Sequence, residues 1–172
     1  YEHQPVLELW HSQVQETGER ALEKLRDGVT ETLRQLGNGF ISHPSNTALR
    51  EALQDESLKT DDYFKQLLRL VYRLILLYTA EDRGLLHAPS ATQEQRDLYQ
   101  NGYSADLLRE RALKGRADRH SDLWQGLQVT LRGLANGAEP IGLPALGGLF
   151  STDKCPDLDT AALSNKALLA AV

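Results

Sequence analysis

Residues that could carry catalysis are present in this chain, but never in the sets that a reaction needs. Nucleases of the common metal-dependent type hold Mg²⁺ with an Asp and a Glu/Asp-x-Lys pair, in which the lysine orients the attacking water. No acidic residue here is followed two positions later by lysine. The five histidines show no zinc-binding spacing, and the single cysteine, Cys155, has no histidine near it in sequence. No glycine pattern matches a P-loop or a dinucleotide fingerprint. We expect no catalytic, cofactor-binding or metal-binding residue in this chain.

One short stretch could bind an anion. It carries five basic residues against only Glu110 and Asp118, and arginine contacts phosphate well through its planar, bidentate geometry. No aromatic residue lies among these basic residues to stack on bases. The stretch could therefore be an ordinary solvated face, or it could contact DNA phosphates. The basic run comprises Arg109, Arg111, Lys114, Arg116 and Arg119.

Composition limits the class of protein. The 172 residues fit one domain, and a net charge of -5 gives no overall basic surface for nucleic acid. A lone cysteine cannot form an intramolecular disulfide, which favours a reducing, cytoplasmic location. The longest apolar stretch is too short to span a bilayer, so no membrane contact is expected.

Spacings of three, four and seven between apolar residues predict an all-α fold, an irregular helical bundle with one long N-terminal helix over residues 1–40. Gly37, Asn38 and Gly39 tolerate positive φ and predict the end of that helix. Gly18 lies in the same apolar stripe. The other members of the stripe are Leu7, Trp10, Val14, Ala21, Leu25, Val29, Leu33 and Leu36.

A helical core is expected over residues 60–137. Its strongest element is a helix from Asp61 to Arg83, capped by Thr60 and apolar on most sides, which predicts a central, buried position. Arg69 and Arg73, four residues apart, form its one polar stripe. They could pair with Glu81 or Asp82 at an edge, or dock DNA or a neighbouring domain. Weaker helices follow over 93–100, 104–114 and 121–136.

Residues 138–163 read as a loop rich in glycine and proline, followed by a last helix that begins at Ser164. Apolar side chains in such a loop are unfavourable in water. They could fold back onto their own helices, or dock against another domain with Leu149 and Phe150 inserted at the contact. The docking candidates are Leu146, Gly147, Gly148, Leu149 and Phe150.

Three stretches together resemble a known family. They contain Ala80–Leu86, read Ala-Glu-Asp-Arg-Gly-Leu-Leu, then Gly147–Phe150, read Gly-Gly-Leu-Phe, and Leu163–Leu169. In this order they are similar to the helical connector region that precedes the methyltransferase domain of single-chain type II restriction–modification enzymes and related N6-adenine DNA methyltransferases of phage defence. The resemblance covers residues 63–172.

The resemblance implies that this chain is a single helical connector domain over 1–172, whose loop leads towards a methyltransferase domain. It implies a non-catalytic spacer that orients nuclease and methylase modules of the same chain, with DNA as the parent protein's partner. The parent would use S-adenosylmethionine, and Mg²⁺ if a nuclease is present. Because methionine is absent and the apolar last helix has no cap, we also expect a piece of a longer chain. The alternative is a free-standing helical adaptor that binds a protein through its first helix.

Overall fold

The computed structural model describes the backbone of residues 4–115 and 118–172, and the side chains from Val14 onward within those ranges. The prediction of an all-α fold is confirmed. The described residues form seven α-helices: α1 (Gln4–Ser42), α2 (Thr47–Gln54), α3 (Thr60–Asp82), α4 (Gln93–Gly102), α5 (Ala105–Leu113), α6 (Asp122–Asn136) and α7 (Asn165–Ala171). Two short 3-10 helices, Glu139–Ile141 and Gly148–Phe150, lie between α6 and α7. The described residues contain no strand beyond one isolated bridge between Ala138 and Leu143.

Side-chain caps and glycines mark some of the helix boundaries. The predicted capping of α3 by Thr60 is wrong, because Lys59 is the N-cap and makes no side-chain capping hydrogen bond. Thr92 forms a capping box with Gln95 at the start of α4. The Ser164 side chain accepts a hydrogen bond from the N–H of Ala167 at the start of α7, as the sequence predicts. Gly84 and Gly115 adopt positive φ just beyond α3 and α5. Local residue types are therefore sufficient to fix these ends.

The predicted end of α1 is wrong. The helix continues through Gly37, Asn38 and Gly39 to Ser42. An ideal Cβ on Gly39 would lie 2.5 Å from the Cβ of Ala167, and one on Gly37 would lie 3.2 Å from Leu67 Cδ1. These glycines therefore allow α7 and α3 to approach the α1 backbone closely, and their small size matters here rather than their freedom at positive φ.

One hydrophobic core joins the helices. α1 packs against α3 and α7, and α7 also contacts α5 and α6. Phe40 of α1 meets Trp124 of α6 edge to face, with ring centroids 5.3 Å apart, and both side chains are buried. The Trp124 indole N–H donates to the carbonyl of Ala161 at 2.8 Å. The core thus lies where the C-terminal third of α1 crosses α3, α6 and α7.

α7 runs antiparallel to α1. Leu163 and Ala167 lie beside Gly39, whereas the carbonyl of Ala171 accepts a hydrogen bond from Thr32 Oγ1 at 2.9 Å. The contact between the two helices therefore ends near Thr32. Among the described side chains, those of residues 14–28 on α1 are all exposed, so this part of the helix projects from the body.

Candidate interaction surfaces

The polar stripe of α3 faces the interior and binds another part of the same chain. Arg73 is 1% exposed, and its guanidinium donates to Asp159 Oδ1 at 2.8 Å and to the carbonyls of Leu149 and Ser151 at 2.9 and 3.0 Å. Arg69 donates to the carbonyl of Lys154 at 2.8 Å. The expected pairing with Glu81 or Asp82, and the docking of another domain by Arg73, are therefore wrong, because every partner of Arg73 belongs to residues 149–159.

Gln66, one turn before Arg69, extends this stripe. Its Oε1 accepts from the N–H groups of Asp157 and Leu158 at 3.0 and 3.3 Å, and its Nε2 donates to Asp157 Oδ2 at 2.6 Å. We call residues 148–163 the strap, since their backbone is fastened across α3 by Gln66, Arg69 and Arg73. Sequence reasoning missed Gln66, although its spacing of three and seven residues from the two arginines marks one helical face.

Cys155 lies within the strap and is fully buried. Its Sγ donates to the backbone carbonyl of Gln66 at 3.5 Å. Burial raises the pKa of the thiol from 9.0 to about 11. The side chain is therefore held as a neutral thiol near neutral pH, which fits a packing role.

The predicted docking residues, Leu146 to Phe150, differ in whether their side chains face the core or the solvent. Phe150 is buried against its own chain and Leu149 is half-buried, so their insertion into a missing domain is not supported. The backbone N–H groups of Leu146 and Gly147 donate to the carbonyl of Leu134 at 2.7 and 3.3 Å, and Gly147 and Gly148 turn at positive φ. Only Leu146, which is 55% exposed, presents a large apolar side chain outward.

The basic run is partly neutralised by its own chain. Arg109 lies 3.1 Å from Asp82 and 3.2 Å from Asp106, and its guanidinium stacks 4.0 Å above the Tyr78 ring. Lys114 pairs with Glu110. Arg111 and Arg119 are exposed, and no hydrogen bond or ion pair joins them to the residues that the structure describes. Arg116 lies outside the described residues. Among the described residues, the phosphate-contact hypothesis therefore narrows to Arg111 and Arg119, and for Arg116 it stays a prediction.

Glu81, in the Ala-Glu-Asp-Arg-Gly-Leu-Leu segment, is hydrogen-bonded to two neighbouring helices. Its carboxylate accepts from the N–H groups of Ala105 and Asp106 at 2.7 and 3.1 Å and from the Tyr99 hydroxyl. A carboxylate at the first N–H groups of α5 stabilises that helix end. Burial raises the pKa of Tyr99, and the adjacent Glu81 charge raises it further. Glu81 thus joins α3, α4 and α5, a role that sequence spacing alone did not indicate.

Two shallow cavities lie near these residues. One, of about 250 Å³, lies between the end of α3 and α4 and is lined by Glu81, His87, Arg96 and Tyr99. The other, of about 130 Å³, lies between α5 and α6 beside Leu108, Arg111 and Leu127. In the described part of the chain, no group of three or more His, Cys, Asp or Glu side chains is arranged to hold a metal ion.

Two helices expose apolar faces. On α3, the side chains of Phe64, Tyr72, Ile75 and Leu76 are roughly half exposed, so the expectation that this helix is buried nearly all round is wrong for its outer side. On the projecting part of α1, Val14, Leu22 and Leu25 are 72%, 68% and 57% exposed.

Comparison with known proteins gives no match, either to a family model, to a curated protein or to a solved structure. None of the helices in the described residues is both long enough and apolar enough to cross a membrane.

Proposed function

We propose that this chain is a non-catalytic helical connector domain of a DNA restriction–modification enzyme or N6-adenine DNA methyltransferase. The proposal rests on the resemblance of residues 63–172 and on one structural observation, the projection of α1 beyond the body. The 39 residues of α1 make a rod of about 58 Å, in which the side chains of residues 14–28 are all exposed and packing against the body begins at Val29. Such a rod would hold a module at its N-terminal end at a fixed distance from the body.

The strap supports the same function from the other end of the chain. The segment that leads towards the expected methylase is fastened to α3 through Gln66, Arg69 and Arg73, and its last helix lies on α1. A domain that followed α7 would therefore be attached to the rigid body rather than to a loose loop. Precise placement of one module relative to another is what a stiff connector contributes to catalysis elsewhere.

DNA contact is an auxiliary part of the proposal. Arg111 and Arg119 would meet backbone phosphates, which position a protein on DNA without reading sequence. Replacing both with Gln in the full-length enzyme should flatten the salt dependence of DNA binding by about two units of log–log slope. Arg132→Gln, on the exposed side of α6, is the matched control. An unchanged slope in the double variant would remove DNA contact from the proposal.

The second candidate is a free-standing adaptor that binds a protein through α1, and the exposed Val14, Leu22 and Leu25 favour it. The coding sequence around this segment separates the two. A downstream Asn-Pro-Pro-Tyr/Phe methylase motif supports the connector, whereas a stop codon soon after Val172 supports the adaptor. Purified chain incubated with DNA, S-adenosylmethionine and Mg²⁺ should neither methylate nor nick the DNA. Activity that follows the protein through purification would contradict both candidates.

A further inference from the structure

The outer side of α3 is an apolar face with an acidic residue at one end and a basic residue at the other. Asp61 lies in the first turn of the helix, Arg83 is its C-cap, and both side chains are exposed. Leu68 is partly buried, and the other apolar side chains between these ends are roughly half exposed. Covering this outer face would be favourable, because each Å² of apolar surface removed from water contributes about 25 cal/mol. Its apolar members are Phe64, Leu68, Tyr72, Ile75 and Leu76.

The outer face is symmetric about Tyr72. Asp61 lies 11 residues before Tyr72, and Arg83 lies 11 residues after it. This spacing corresponds to 3.67 residues per turn, close to that of a straight α-helix, so the three residues lie along one line on the helix surface. Leu68 and Leu76 lie four residues before and four residues after Tyr72. The same face laid on itself in the reverse direction therefore places opposite charges together at both ends and leucine opposite leucine between them.

We propose that the outer face of α3 pairs with the same face of a second copy of the chain, in an antiparallel arrangement with the two Tyr72 side chains at the two-fold axis. Asp61 then lies opposite Arg83 of the second copy, at both ends of the contact. A parallel pair would place Asp61 against Asp61 and Arg83 against Arg83, which like-charge repulsion disfavours. Charge complementarity thus identifies a second copy as the occupant of this face and fixes its direction.

The two edges of the outer face favour the same direction. Successive residues differ by about 100° around a helix, so Phe64, Leu68 and Ile75 fall on one edge. Lys65 and Arg69 fall on the other edge. A two-fold axis perpendicular to the helices keeps both apolar edges on one side of the pair, so that Ile75 lies beside Leu68 of the second copy. A parallel pair would instead place the apolar edge of one copy beside the charged edge of the other.

The charges at each end of the antiparallel pair are balanced. Asp62 is next to Asp61, and its carboxylate lies 3.2 Å from Lys65 Nζ in the same helix. Each end therefore combines these three side chains with Arg83 of the second copy, which makes two acidic and two basic groups. Exposed ion pairs contribute little individually. They therefore set the direction of the pair, while the apolar side chains supply most of its affinity.

The remaining charged residues of α3 are engaged within their own chain. The strap binds Arg69 and Arg73, and the first N–H groups of α5 bind Glu81. Asp82, on the apolar edge beyond Ile75, lies 3.1 Å from Arg109 of α5. These groups keep their partners when the second copy binds, so they add no unpaired charge to the contact.

Sedimentation of the complete chain over a range of concentrations tests the pairing. We expect a reversible increase from 19.2 kDa to twice that mass as the concentration rises. Leu76→Glu should abolish the increase, because its carboxylate would be buried against an apolar face. Leu98→Glu on α4 is the matched control and should dimerise normally, since Leu98 is 50% exposed and Leu76 is 49% exposed. A mass of one chain at every concentration, or equal behaviour of the two variants, would overturn the proposal.

Reversing the charges tests the antiparallel direction. Arg83→Glu should weaken the association by about tenfold, because an ion pair at each end becomes a repulsion. Adding Asp61→Arg to this variant should restore the association, since it recreates both ion pairs with opposite signs. Association that is unaffected by Arg83→Glu, or that the second substitution does not restore, would overturn the proposal.

Disulfide crosslinking tests the register. Lys65 and Thr79 lie seven residues on either side of Tyr72, and both side chains are exposed. The native cysteine, Cys155, is buried, so a Lys65→Cys variant and a Thr79→Cys variant each present one accessible thiol. In a mixture of the two, the 65–79 crosslink should exceed the 65–65 and 79–79 products. Predominance of the 65–65 and 79–79 products would indicate a parallel pair and overturn the proposal. All three tests use this chain alone, so their failure would leave the connector function standing.

Discussion

α3 and α1 distribute their polar and apolar residues in opposite ways. α3 buries a polar stripe of Gln66, Arg69 and Arg73 under the strap while Phe64 and Leu76 remain half exposed. The projecting part of α1 exposes its apolar stripe, although the same face is buried further along the helix. Burial therefore depends on which segment covers a face as well as on hydropathy. The strap covers the polar stripe of α3, whereas none of the described residues covers the apolar stripe of α1 between residues 14 and 28.

The largest effect should come from Arg73→Ala. The substitution would leave Asp159 without its buried partner and two strap carbonyls, those of Leu149 and Ser151, without a donor. We expect the free energy of unfolding to fall by about 3–5 kcal/mol in denaturant melts. Arg83→Ala, at the exposed end of the same helix, should stay within about 0.5 kcal/mol. Equal losses in the two variants would mean that the strap does not depend on Arg73.

Two Leu→Ala substitutions, one on α3 and one on α1, compare the contribution of each helix face to stability. Leu74→Ala should cost about 2–5 kcal/mol, because the side chain is buried in the core and its loss leaves a cavity. Leu22→Ala on α1 should change stability by no more than about 0.5 kcal/mol, because its side chain is 68% exposed. Similar losses in the two variants would show that α1 is packed within its own chain and that the faces are misassigned.

Cys155 reports whether the strap stays closed. Its folded-state pKa of about 11 lies above the ordinary value of 9.0, so its stabilising contribution is fully present below pH 9 and is lost as the pH rises towards 11. At pH 8 the folded protein should react with a thiol reagent about a hundredfold more slowly than the unfolded chain, because a pKa of about 11 leaves about a hundredfold less thiolate than a pKa of 9.0. Reaction at equal rates would mean that the strap opens freely.

Much of the fold follows from local signals in the sequence, because helix ends depend on a few neighbouring residues. Ser164, Gly84 and Gly115 lie at boundaries that their types predict, whereas Thr60 does not cap α3. The end of α1 was predicted wrongly because Gly39 serves a contact with Ala167, which is distant in sequence. Periodicity recognised the apolar face of α1 but carried no information on what covers it.

The candidate surfaces were predictable only in part for the same reason. The arginine pair of α3 was found as one polar stripe, but its partner, Asp159, is 86 residues away from Arg73 in the chain. Phe150 was assigned to another domain because the loop around it forms no helix of its own, whereas the strap returns it to the core. Arg109 was grouped with the basic run, although Asp82 and Tyr78 of α3 engage it across the fold.

The most direct test of the connector function is an insertion into the projecting part of α1, in a full-length protein that carries both nuclease and methylase modules. Four alanines between Gly18 and Glu19 would lengthen the helix by about 6 Å and rotate its N-terminal end by about 40° relative to the body. The account predicts that DNA cleavage falls about tenfold or more, because the nuclease is displaced, while methylation by the module beyond α7 is retained. Cleavage that proceeds unchanged through this insertion would contradict the account.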